Sequence, residues 1–149
     1  MTLNHGVTII KTVKMIIEGK TATISAHKKS VFEFLTDFNN FEGLMPDQVV
    51  NWKSDKESCS FTIRGMTSLS LKYKQKTPFE LIDIVPEGKS PIKFNLKIFL
   101  ETDTLDDQKT VAKAEIDADL NPMMAMLAKK PLENLVNIIS ERLNDEFQK

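Results

Sequence analysis

Few side chains in this chain have the type and spacing that chemistry requires. A protein-bound metal needs several His, Cys or carboxylate ligands at close sequence spacing or gathered by the fold. His5 and His27 are the only histidines and Cys59 the only cysteine, and none has a partner at ligand spacing. His27 precedes a run of helical periodicity and reads as an exposed cap. Nucleophilic catalysis needs a nucleophile oriented by a base; Cys59 falls on the apolar phase of an alternating run and reads as core packing. The five glycines form no phosphate-binding loop. Asp117 and Asp119 share a strand face and would make an acidic pair, but off the apolar phase a solvated face is expected. Lys72, Lys74 and Lys76 read as a solvated edge. No catalytic residue, metal or cofactor is assigned.

Binding chemistry is better represented. Met123, Met124 and Met126 open the last helical run, and Met45 and Met66 end elements that the fold can bring near it. Unbranched, polarizable Met fills irregular gaps, so these residues are either core filling or an adaptable wall for an apolar ligand. Tyr73 lies on an apolar phase, and a buried phenol needs a hydrogen-bond partner. That partner is protein, water or the polar end of a ligand.

Residues of these types must be positioned by a fold that the composition bounds. A chain of 149 residues suits one domain, and 41% hydrophobic with 28% charged residues is ordinary for a globular one. Net charge of -1 argues against nucleic acid as the main partner. A lone cysteine fits a reducing compartment, here taken as the cytoplasm. Lys11 and Lys14 interrupt the short N-terminal apolar run, unlike a signal peptide. No run approaches the ~20 apolar residues that cross a bilayer, so no stable membrane insertion is expected.

Along the chain, a strand is expected at 20–26, with an earlier strand or extension before it and a bulge or turn at Gly19. Val31, Phe34, Leu35 and Phe38 recur at helical spacing, and a second short helix, Phe41 to Met45, stops before Pro46. From Val49 to Asp119 the period becomes two, beginning with Val50 and Trp52. Cys59, Phe61 and Ile63, then Leu69, Leu71 and Tyr73, then Ile92 to Leu100, then Ala112 to Ala118 alternate with polar neighbours, as antiparallel strands with one wet face do. Asn121 as N-cap and Pro122 at the first helical position open a helix to about residue 147. Leu127, Leu135, Ile138, Ile139 and Leu143 give its stripe, and Pro131 is expected to bend it. One helix covers such a sheet only if the sheet curls around it. The expected class is therefore α+β, a curved antiparallel sheet of six or seven strands gripping a long C-terminal helix.

This order of elements resembles the START-like or helix-grip superfamily. Ile24-Ser25-Ala26, Val31-Phe32-Glu33-Phe34-Leu35, Asn39-Asn40-Phe41 to Met45-Pro46 and Asn121-Pro122-Met123-Met124 look like small bacterial members labelled polyketide cyclase/dehydrase-like. The resemblance covers about residues 20–147, leaving residues 1–14 as an extension, with Met15 as an alternative natural start. It implies a cavity for an apolar or amphipathic ligand, lipids included, between sheet and helix. The expected lining is Phe61, Ile63, Leu69, Leu71, Tyr73, Phe94 and Leu96 from the strands, with Met123, Met124 and Leu127 from the helix. A cyclase or dehydratase using that cavity, or a protein-interaction module, are the alternatives; fold alone does not choose.

Overall fold

A computed structural model describes residues 12–90 and 92–149; His5 and nearly all of the expected extension lie outside the described residues. Strand β1 (Val13–Glu18) is followed by β2 (Ala22–Ile24), helix α1 (Lys28–Leu35), two 3₁₀ turns (Phe38–Asn40 and Glu42–Leu44), and the strands β3 (Val49–Ser54), β4 (Ser58–Ile63), β5 (Thr67–Thr77), β6 (Leu81–Pro86), β7 (Lys93–Thr102) and β8 (Thr110–Leu120). Helix α2 (Pro122–Glu146) closes the chain and continues through Pro131. Val13 and Lys14, expected in the extension, belong to β1, and the expected second helix, Phe41 to Met45, is the short 3₁₀ turn Glu42–Leu44.

All the strands join one antiparallel sheet, in the order β1-β8-β7-β6-β5-β4-β3, with β2 also pairing β8. From β3 to β8 it is a meander, so the polar turns between strands are short. In the first of them the Asp55 carboxylate accepts from the backbone N–H groups of Glu57 (2.8 Å) and Ser58 (2.9 Å), which hold its carboxyl below the usual range. The non-local pairings place β1 and β2 against β8.

Helix α2 lies on β8, β1 and β2. It approaches closely because the facing side chains are small: Ala112, Ala114 and Ala118 on β8, Ala125 and Ala128 on the helix, all buried. Gly19 marks the tightest point. A Cβ built there would lie 2.5 Å from the Val136 carbonyl oxygen of α2, while the Gly19 N–H donates to the Ala114 carbonyl at 2.8 Å. Close backbone approach explains this glycine.

The other half of the inner face, on β4 and β7, meets the first 3₁₀ turn and α1. Ser54 Oγ donates to Asn39 Oδ1 (2.7 Å), and the Phe38 N–H to the Lys56 carbonyl (3.1 Å), fastening that turn to the β3–β4 hairpin. Arg142 of α2 donates to the Met45 carbonyl and so joins the helix to the segment after the second turn.

Candidate functional site

Period-two alternation puts one side of each strand under these covers. Phe61 faces Leu69 across β4 and β5, and Tyr73, Ile84, Leu96, Ile116 and Ile17 form a row of opposed residues across five strands. Phe61, Ile63, Leu69, Leu71, Phe94 and Leu96 are each at most 6% exposed, so the apolar wall is closed to solvent. These strand residues are buried together on the covered face of the sheet.

Tyr73 is half-buried among them, and its hydroxyl is already engaged. It donates to the Leu35 carbonyl at 2.6 Å, the ring stacks on Phe38 (centroids 4.2 Å apart), and Lys76 Nζ sits 4.6 Å from the ring centroid. Burial, with Asp37 adding a smaller repulsion, raises its pKa well above the ordinary phenol value. Tyr73 thus locks the end of α1 to β5. Lys76 is held there by Glu57 (3.1 Å), whereas Lys72 and Lys74 are exposed. Cys59 is buried in the core, and burial pushes its thiol up to about 12. His27 caps α1, its Nδ1 accepting from the Lys29 N–H at 3.2 Å. Asp117 and Asp119 lie on the outer face, Asp117 exposed and Asp119 half-buried with Oδ1 shielded and unpaired among the described residues.

The helix contributes differently from expectation. Met124 is half-buried against the core and its N–H donates to the Asn121 side chain at 2.8 Å, but Met123 is 74% and Leu127 57% exposed. The buried stripe is Ala125, Ala128, Leu132, Leu135, Val136, Ile139 and Leu143. Choosing the stripe by side-chain size selected Leu127, whereas the tight β8 contact admits only methyl groups at this end. Met123 and Leu127 therefore face away from the interior, and a charge at position 127 falls in solvent.

The interior holds a residue absent from the expected set. Trp52 is stacked on Phe61, ring centroids 5.4 Å apart and planes 13° from parallel, with its indole Nε1 buried and without an acceptor among the described residues. A bulge puts it there. Val50 opposes Thr62 and Lys53 opposes Ser60, with a register shift between them, and Asn51 takes φ 58°. Asn tolerates this left-handed backbone better than most residues. The shift corrects the sequence phase: Val49 opposes buried Ile63, Val50 turns to the outer side, and Trp52 joins Phe61. The sequence alternation puts Val50 and Trp52 on one apolar phase; the bulge keeps Trp52 inward and turns Val50 out, and nothing in the sequence marks the indole N–H as unpartnered.

On the outer face, Ser60, Thr62, Ser68 and Ser70 line a polar hollow of about 260 Å³. Among the described residues, no group of His, Cys, Asp and Glu is arranged to hold a metal ion, and no helix is long and apolar enough to cross a membrane.

No family model and no curated protein matches the chain. Solved structures do. A truncated norcoclaurine synthase from Thalictrum flavum superposes with TM-score 0.66 at 10% identity, covering 94% of this chain and 97% of that one. A START superfamily protein from Mycobacterium smegmatis gives TM-score 0.62 at 14% identity, with 88% and 98% covered. An uncharacterised protein from Bacillus thuringiensis gives 0.67 at 8% identity, with 92% and 100% covered. The likeness spans nearly whole chains on both sides, and with the antiparallel meander, the short helical segments after the first strands and the final helix it shows that this chain has the START-like helix-grip fold.

Proposed function

We propose that the chain binds a small hydrophobic or amphipathic molecule against the apolar inner face of β3 to β5, with the Trp52 indole N–H meeting an acceptor at the ligand's polar end. The observation that carries this reading is the orphaned donor itself. A buried N–H without an acceptor costs about 1–3 kcal/mol, and natively folded proteins leave few such groups unexplained. Here the donor sits in a wall of Phe61, Leu69 and Ile63, where an apolar body and one acceptor would both be satisfied. Two named solved structures of this fold support it by analogy: norcoclaurine synthase is described in complex with dopamine and hydroxybenzaldehyde, and as a point mutant with a transition-state analogue. Because the interior is closed, uptake requires a covering element to move. The buried, unpaired Cys59 supports placing this binder in the cytoplasm, and the charge of -1 supports a partner other than nucleic acid.

The test compares a medium-chain methyl ketone with the alkane of equal length, by the shift each causes in thermal unfolding. The parent should prefer the ketone by about tenfold, the worth of one recovered hydrogen bond. Trp52→Phe keeps an aromatic ring on Phe61 but removes the donor, and should bind both alike. Equal affinity for both in the parent, or a preference that survives Trp52→Phe, contradicts the assignment.

A further inference from the structure

The first half of α2 is apolar on the wrong side for a helix serving only the core. Met123, Met126 and Leu127 are 74%, 83% and 57% exposed, while the side facing the sheet is made of Ala125 and Ala128. Spacings of three and four place the three large residues on one strip, with Lys130 on the same strip and Lys129 one turn beyond Met126. Both lysines are exposed, and they are the only charged residues from Leu120 to Leu132, so this segment carries two positive charges and no negative one. Val13, opposite Leu120 and 40% exposed, lies at the same end of the molecule.

We propose that this face of α2 docks on an anionic membrane surface. Met123, Met126 and Leu127 enter the headgroup boundary, and Lys129 and Lys130 pair with acidic headgroups. A helix lying in the interface has this composition, an apolar strip flanked by Lys. The charge pattern selects this occupant. A second copy of the chain on a two-fold axis would bring two lysine pairs together, whereas an acidic bilayer neutralises them. The shape agrees, since a convex rod ending in flexible Met side chains fits a deformable surface without needing a matching groove. The contact is peripheral, because among the described residues no helix is long and apolar enough to span. It stands whether or not the interior takes a ligand.

Co-sedimentation with vesicles tests it. Binding to phosphatidylcholine vesicles containing roughly a third phosphatidylserine should be at least about tenfold tighter than to phosphatidylcholine alone, and should weaken as salt screens the lysines. Met126→Gln with Leu127→Gln, and separately Lys129→Gln with Lys130→Gln, should each reduce it by about tenfold. Urea midpoints should stay unchanged, since all four side chains are exposed. Absence of binding, equal binding to neutral vesicles, or variants that bind like the parent would overturn the proposal. So would a concentration-dependent dimer, without vesicles, that Met126→Gln abolishes; that outcome assigns the face to a second copy.

Discussion

Cys59 and Tyr73 are both held neutral by burial, which ties the stability of the interior to alkaline pH. The thiol ionises at about 12 in the folded chain against an ordinary 9.0, so above 9 the unfolded state releases its proton first. It then binds fewer protons than the folded state, and stability falls as pH rises from 9 toward 12; below 9 the contribution is fully present. Tyr73 acts in the same direction from its ordinary value of 10.0 upward. The urea midpoint of the parent should therefore drop between about pH 8 and about pH 10, and Cys59→Ala should flatten that drop while lowering the midpoint at both values. A parent midpoint that does not change over this range contradicts the buried thiol. Cys59 was legible as a core residue because strand alternation assigns a face to each residue. Trp52 also fell on the apolar phase, but its partners were not legible, because the bulge at Asn51 that sets it on Phe61 and turns Val50 outward has no periodic signature, and an orphaned donor is defined by its surroundings.

Among the elements, strands read more reliably than helix faces. In a strand the period of two leaves only two faces to choose between, so Phe61 to Leu71 and Phe94 to Leu100 were assigned correctly wherever no bulge intervened. In α2 the face follows from how near the sheet comes. The sequence carries that distance only indirectly, in the alanines of β8 and in Gly19, while a search for large apolar residues picks out Met123 and Leu127. The resulting prediction concerns Gly19. An added methyl would meet the backbone oxygens of Val136 (2.5 Å) and Ala114 (3.0 Å), atoms that move only if α2 lifts from β1 and β8. Gly19→Ala should cost about 1–3 kcal/mol in urea unfolding, the usual penalty of overpacking. A cost near zero would mean that the helix does not sit this tightly.

For the molecule as a whole, the architecture was legible because period, turn chemistry and helix caps all pointed the same way, which is the consistency a foldable sequence needs. The strand walls of the candidate site came with it. The bulge that leaves the Trp52 N–H without an acceptor and the outward turn of Met123 and Leu127 depend on how elements pack together, which no local pattern records. The interior binding claim rests on Trp52, and as the only tryptophan it also reports directly on that site. The decisive measurement is a titration of the parent protein with the medium-chain methyl ketone, following Trp52 emission. A saturable change at one ligand per chain is expected, reversed when excess alkane analogue competes for the same wall. Emission that stays constant, or drifts without saturating up to the ketone's solubility limit, would contradict ligand binding at this face.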